Sequence, residues 1–280
     1  MKSKLPALLF VLSIFLFSCS SDSDTNSEDL DVKYMKAYKT DTPEYPGDYD
    51  SFYEYSNGYL TKGKGYNLFS GTFTYDSSGK LISRHVYDQE YTFEYDSKNR
   101  LIKQSRTGSP DNITLKYDNN KITITNSYNY ESAEHYDQIS ELYLDNKQRI
   151  IKYRNLSPTT DYTFMVQEYL YDDNNNITQI TFKENNYNYD DFVVKYVYDN
   201  KKNPFYYAFK KLYKSIYYLE CRNGISNYKH TGITPNNMTI YGTSTYAHQY
   251  DNDGYPVSWH MVYDNNGTVP ATADYTVEYY

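Results

Sequence analysis

Two cysteines, one tryptophan and almost no helical periodicity leave few common architectures open to these 280 residues. If Cys19 is acylated, Cys221 has no mate, so no intramolecular disulfide staples the fold and stability must come from packing and strand pairing. The chain has no Gly-x-Ser-x-Gly, phosphate loop or dinucleotide fingerprint, so the usual signals of a serine hydrolase, a nucleotide binder or a dehydrogenase are missing and no cofactor is called for. The five histidines, at 85, 135, 230, 248 and 260, lack metal-ligand spacing, although His248 and His260 flank one turn and are expected near each other. Positive charge is also short. Against 36 Asp and Glu there are 28 Lys and Arg, giving −8, and removal of a leader carrying Lys2 and Lys4 takes the balance to −10. That argues against nucleic acid and against an anionic lipid surface as partners.

What the chain has in excess is tyrosine, 39 residues, and much of it recurs in one unit. Tyr75-Asp-Ser-Ser-Gly-Lys-Leu81 and Tyr95-Asp-Ser-Lys-Asn-Arg-Leu101 are the clearest copies, with looser ones from Tyr117, Tyr143, Tyr171, Tyr198, Tyr250 and Tyr263. The Asp can bond the backbone two residues on, and Gly79 or Asn99 accepts the left-handed conformation that completes a three-residue hairpin loop. Asp76 then faces Lys80, and Asp96 faces Arg100. Units at Tyr55 and Tyr117 are one residue shorter and carry Asn57-Gly58 or Asn119-Asn120, as two-residue primed turns require. Alternation agrees: Ile113, Leu115, Tyr117, Ile122 and Ile124 share one face, and Thr114, Lys116, Asp118, Lys121 and Thr123 the other. Phe73, Tyr75 and Leu81, then Phe93, Tyr95 and Leu101, then Trp259, Met261 and Tyr263 repeat the split. Most strands read as about 5 to 8 residues, a common length for soluble sheets. Helical spacing is confined to Phe205, Phe209, Leu212, Tyr213 and Ile216, with Pro204 suited to a first turn. The expected fold is therefore all-β: an antiparallel β-hairpin meander forming a curved, rolled or barrel-like sheet, with one short helix near 204–214.

Residues 1–18 read as a secretory signal, with Lys2 and Lys4 ahead of an apolar run from Leu8 to Phe17. Leu16-Phe17-Ser18-Cys19 resembles a bacterial lipobox, which implies a lipidated Cys19 and anchoring in a membrane. Residues 19–31 then form a polar, acidic tether, and 32–280 a single β domain. Ser20-Ser-Asp-Ser-Asp24 resembles the surface-export signal of Bacteroidetes lipoproteins, which implies the outer face of the outer membrane.

The Tyr-Asp-x-x-Gly/Asn-Lys/Arg-Leu/Ile run resembles the YD repeats of Rhs-type proteins, matched fully at Tyr75 and Tyr95. The whole arrangement is similar to a family of Bacteroidetes lipoproteins with a porin-like fold: a lipobox, Tyr-Asp hairpins, then Asp199-Asn-Lys-Lys-Asn-Pro-Phe205, Asn236-Asn237 and Tyr250 to Pro256. That resemblance implies an all-β roll or barrel and implies no activity.

Candidate chemistry is thin. Asp251-Asn-Asp253-Gly254 looks like half of a calcium loop, yet the remaining ligands are missing, and a plain hairpin turn explains it. Trp259, Tyr246 and Tyr255 could form an aromatic platform for a glycan, although the alternation places Trp259 on the buried face. The repeat lapses between Tyr198 and Tyr250, so a ligand site is expected near 204–260 rather than in the regular hairpins. The expectation that results is a non-enzymatic, surface-tethered outer-membrane lipoprotein that binds an extracellular glycan or an outer-membrane protein. The competing readings are a secreted or periplasmic hydrolase with a convergent carboxylate site, and a membrane-spanning β-barrel.

Overall fold

The structure, a computed structural model, describes residues 32–41, 51–65, 69–129, 135–156, 163–184, 191–225, 234–263 and 271–280. The leader, Cys19 and the tether to residue 31 lie outside these. Among the described residues every strand lies in the compact unit Lys33–Tyr280.

Its first nine strands are β1 (Met35–Asp41), β2 (Ser51–Ser56), β3 (Tyr59–Lys64), β4 (Gly71–Tyr75), β5 (Leu81–Val86), β6 (Gln89–Tyr95), β7 (Leu101–Arg106), β8 (Asn112–Asp118) and β9 (Lys121–Asn129). The next five are β10 (His135–Leu144), β11 (Ile150–Leu156), β12 (Thr163–Tyr171), β13 (Ile177–Glu184) and β14 (Phe192–Lys202). Helix α1 (Pro204–Glu220) follows, then β15 (Asn236–Tyr241), β16 (Ser244–Tyr250), β17 (Pro256–Tyr263) and β18 (Ala271–Tyr279). Each strand pairs antiparallel with its chain neighbours, and β18 pairs with β1, so the 18-stranded sheet closes into an up-and-down barrel. At the seam Met35 faces Tyr279 and Tyr38 faces Val277. The expected all-β meander is thus a closed barrel.

Turn chemistry explains why the hairpins form where they do. Asp76, Asp96, Asp145 and Asp251 each accept from the main-chain N–H groups two and four residues on, at 2.8 to 3.0 Å. The left-handed position is taken by Gly79 (φ 82°), Asn99 (φ 61°), Gln148 (φ 61°), Asn175 (φ 67°) and Gly254 (φ 81°). At Gly79 a side chain would also run into Tyr59, so both backbone and space favour glycine there.

These turns, with the shorter ones at Asn57 and Asn119, all lie on even-to-odd connections and so share one end of the barrel. At that end β3 and β4 are not linked by chain, nor are β5 and β6. The unit's Tyr makes the link. Tyr75 donates to the Leu60 carbonyl (3.0 Å), Tyr95 to Leu81 (2.8 Å), Tyr117 to Leu101 (2.8 Å), Tyr171 to Ile150 (2.8 Å) and Tyr198 to Ile177 (2.7 Å), and Tyr279, outside the repeat, makes the same bond to Pro256 (2.7 Å). The basic residue just before the accepting position lies over the same ring: Lys80 over Tyr95 (5.6 Å), Arg100 over Tyr117 (4.3 Å) and Arg149 over Tyr171 (4.5 Å). Arg100 and Arg149 are held for this by Asp96 (2.6 Å) and Asp145 (2.7 Å). These hydroxyls are therefore bonded to main chain.

Three copies depart from the pattern. Tyr143 turns outward and donates to Glu141 (2.8 Å), while the extra Leu144, 4% exposed, fills the inward place. Tyr250 donates to Asp199 instead of a carbonyl. Tyr263 closes β17 and so sits at the opposite end of the barrel.

Where another hairpin would lie, the chain between β14 and β15 forms α1. Asn203 caps it, accepting from Phe205 N–H (3.0 Å), with Pro204 in the first turn. The Asn203 amide also donates to Thr234 O (2.7 Å), tying the departing chain to the returning one. Expected over 204–214, the helix runs on to Glu220, because Ile216 and Leu219 continue the buried stripe of Phe209, Leu212 and Tyr213 and outweigh the modest propensity of Tyr217-Tyr218. It reaches the turns on both sides: Lys211 donates to Asn57 O (3.3 Å) and Tyr218 to Gln148 O (3.0 Å). Phe209 stacks on Phe69 (3.6 Å), and Lys210 and Lys214 are left exposed. Each such fully buried apolar side chain contributes about 1.5–3 kcal/mol.

The barrel is mainly apolar inside, and its outer face mixes ion pairs with exposed apolar residues such as Leu170, Val193, Val197 and Ile240. Leu60, Leu81, Leu101, Ile122, Ile150 and Ile177 form an inner layer at 0–4% exposure. Outward positions carry ion pairs, with Glu168 held by Lys152 (3.5 Å) and Lys183 (2.8 Å), Glu94 by Lys103 (3.2 Å) and Glu54 by Lys62 (2.9 Å). Strand length does not separate this barrel from a membrane-spanning one, because β10 has 10 residues and β14 has 11, beyond the expected 5 to 8. At a bilayer midplane each lipid-facing Lys or Arg costs about 2–4 kcal/mol, and these strands carry them in rows. Among the described residues no helix is long and apolar enough to cross a membrane.

The Tyr117→Phe variant should lose about 1 kcal/mol in a urea melt, since the Leu101 carbonyl loses its donor. Tyr87→Phe should stay within a few tenths of a kcal/mol, because that side chain is 88% exposed. Equal losses would contradict the assignment of Tyr117 to this collar of hydroxyl-to-carbonyl bonds at the turn end.

Candidate functional site

Strand register decides which side chains reach the interior, and the sequence-derived candidates divide on it. Trp259 faces in and is 8% exposed. It packs within a cluster of rings: Tyr275 at 5.2 Å, His248 at 5.6 Å, Tyr38 at 5.7 Å and Phe205 at 6.2 Å. Tyr246 joins it on the wall of a cavity of about 50 Å³, shared with Asn203, Phe205, Thr234, Asn237 and Met238. That space holds a few waters. Tyr255 is elsewhere. Fully buried at the turn end, it lies against Tyr279 (5.5 Å) and Tyr207 (6.3 Å), with Lys202 over its ring at 4.8 Å.

The half calcium loop is occupied by an ammonium group. Lys33 reaches both Asp251 (2.7 Å) and Asp253 (2.6 Å), and these bonds raise its pKa well above the ordinary value. Asp251 also accepts two main-chain bonds as a turn residue, and its carboxyl is held below the usual range although partial burial opposes this. Among the described residues no group of three His, Cys, Asp or Glu is placed to hold a metal ion. His248 and His260 do not meet, because Ala247 faces His260 and His248 faces Trp259, which puts the two imidazoles on opposite faces. His248 bonds Met238 O (2.9 Å) with its pKa lowered by burial, and His260 pairs outside with Asp274 (2.7 Å).

A second inward group lies in the regular hairpins. Away from α1, the apolar lining gives way to amides. Gln104 on β7 faces Ile113 on β8, Ile113 faces Asn126 on β9, and Asn126 faces Gln138 on β10. Gln104, Asn126 and Gln138 are half-buried and share one lateral row of inward side chains with the buried Ile113 and Phe93. Farther from the turns, Tyr91 faces Arg106, and Tyr128 faces Tyr136 with ring centroids 6.4 Å apart. Asn126 donates to the Tyr128 hydroxyl. Neither Gln104 nor Gln138 makes a side-chain hydrogen bond among the described residues. Arg106 is engaged by Asp111 (2.9 Å) and Ser109 (2.8 Å). Sequence reasoning passed over this row because it looked only where the repeat lapses. The available signal was parity: Gln104, Asn126 and Gln138 stand where the alternation calls for Leu or Ile.

No protein-family model matches the chain, and neither does any curated protein. Among solved structures, a porin-like protein from Bacteroides vulgatus is similar at 12% identity and a TM-score of 0.40, over 89% of this chain and 99% of that one. A porin-like protein from Bacteroides uniformis is similar at 14% identity and a TM-score of 0.32, over 70% of this chain and 93% of that one. The TcdB2-TccC3-TEV structure is similar at 12% identity and a TM-score of 0.35, over 81% of this chain and 13% of that one.

Because Lys33 holds the position a cation would take, calcium should leave the melting temperature unchanged. A site saturated at about 100 times its dissociation constant would add about 2.7 kcal/mol, readily seen in a thermal melt. A calcium-dependent rise that disappears in Asp253→Ala would contradict the reading of these carboxylates as a turn.

Proposed function

We propose that this chain is a lipid-anchored binding barrel of the outer membrane, exposed at the cell surface, which holds a ligand without transforming it. The observation that carries the proposal is the amide row on the inner wall of a barrel whose outer wall is charged. Neutral hydrogen-bonding groups on a rigid concave surface suit recognition. Acid–base chemistry requires groups with matched, shifted pKa values within reach of one substrate. The carboxylates of the Tyr-Asp units are instead committed to turns, as at Asp96 with Arg100 and Asp145 with Arg149. The hydrolase reading would need two inward carboxyls facing each other, and the row offers amides.

Tethering rests on Leu16 to Cys19 and on the short polar stretch behind them. Two of the similar structures are described as porin-like. In this chain α1 enters the turn end and the outward positions are charged, an arrangement that favours a tethered body over a transmembrane bore.

Fractionation of cells expressing the wild-type chain and Cys19→Ala tests the anchor. The wild type should sediment with the outer membrane and be digested by protease added to intact cells, while Cys19→Ala is released to the soluble fraction. A Cys19→Ala protein still wholly membrane-bound would overturn the anchoring.

A further inference from the structure

We infer that the row Gln104, Asn126 and Gln138, with Tyr91, Tyr128 and Tyr136 beside it, is a binding site for a neutral oligosaccharide. The inference rests on the reading of the barrel as a binder and names its ligand class.

Composition argues first. Inward positions nearer the turns in this part of the barrel are Leu101, Leu115, Ile122 and Leu142, all at most 4% exposed. A carboxamide drawn from water into such a lining without partners costs about 1–3 kcal/mol. Three of them on the walls of β7, β9 and β10, half-buried, keep polar capacity where packing alone would place aliphatic groups. Each Gln offers two N–H donors and a carbonyl acceptor, a pairing that matches neighbouring hydroxyls, which each donate and accept. Gln104 and Gln138 have these groups uncommitted to any described side chain or main-chain atom.

Charge argues next. Arg106, the cation closest to the row in register, is neutralised by Asp111 at 2.9 Å. Arg84, which faces Tyr91, donates to Ser70 O at 2.9 Å and lies over the Phe73 ring at 5.4 Å. Arg222, whose main-chain carbonyl accepts from Ser140 two residues from Gln138, donates to Leu219 O at 3.1 Å and keeps its Nε buried away from the opening. With Arg84 and Arg106 engaged by partners, the amides of the row favour an uncharged ligand over a carboxylate or phosphate.

Shape argues last. From β7 to β10 the row crosses three strand spacings, about 14 Å, along a concave wall. That length suits several linked sugars better than one. Tyr128 and Tyr136 stand two residues along from Asn126 and Gln138, about 7 Å nearer the mouth. Their phenol rings, tilted 31° to each other, supply broad apolar faces with polar edges, and Tyr136 is 44% exposed. A pyranose presents the complement, a C–H face and a ring of hydroxyls.

Isothermal titration of the full-length chain in detergent, with maltopentaose, xylopentaose, mannopentaose and an oligogalacturonate, tests the site. At least one neutral pentaose should bind, and Gln104→Ala/Gln138→Ala should weaken it by at least about tenfold at an unchanged melting temperature. Gln138→Met, which keeps the volume and removes the amide, should weaken it as well. Affinity that survives both variants would overturn this site and spare the binder reading. Preference for the galacturonate would overturn the neutral class. Heat from none of the four probes would overturn the site and the glycan-binder reading together.

Discussion

The barrel depends on the bond from a tyrosine hydroxyl to a main-chain carbonyl across a gap in the chain. At the turn end every second pair of neighbouring strands lacks a covalent link, and there Tyr75, Tyr95, Tyr117, Tyr171, Tyr198 and Tyr279 reach back to the preceding hairpin. Each residue of the repeat then has a distinct task. Asp caps the turn, Gly or Asn takes the left-handed position, and the basic residue lies over the next Tyr ring. The final Leu or Ile fills the core while its carbonyl accepts the next hydroxyl. A phenylalanine would fill the same space and leave that carbonyl without its donor.

Much of this was legible in the sequence because the turn rules are local. The left-handed residues at Gly79 and Asn99, the Asp96–Arg100 pair and the two faces around Ile113 to Ile124 follow from neighbours within a few positions. Closure was less legible, since the β1–β18 seam joins residues some 240 apart and leaves no periodic trace. The end of α1 was missed for a similar reason: Ile216 and Leu219 are helical because of the barrel interior they enter. At the candidate site, Trp259 and Tyr246 do share one small cavity, while Tyr255 belongs to the turn-end collar. The amide row was hidden by regular alternation, in which a Gln on the inward parity does not disturb the pattern.

Outside and inside carry opposite chemistries, and the two together narrow the function. Ion pairs such as Lys183–Glu168 lie on the outer face, where solvent screens them and each adds little to stability. Inside, α1 and its aromatic surroundings fill the turn half, while the wall from β7 to β10 carries the amides Gln104, Asn126 and Gln138. A barrel with a polar patch on its inner wall is suited to holding a ligand.

Burial raises the phenol pKa at every hydroxyl of the collar, to about 12 at Tyr95 against an ordinary 10.0, and further at Tyr117, Tyr198 and Tyr279. A raised acid contributes stability that is complete below the unfolded value and is lost as pH rises through the folded one. Alkaline titration followed at once by tyrosinate absorbance and far-ultraviolet circular dichroism tests the collar most directly. The account predicts two stages, exposed phenols ionising first and the collar only above pH 10.0, together with loss of the sheet signal. Ionisation of all tyrosines in one stage near pH 10.0, with the sheet signal intact, would contradict it.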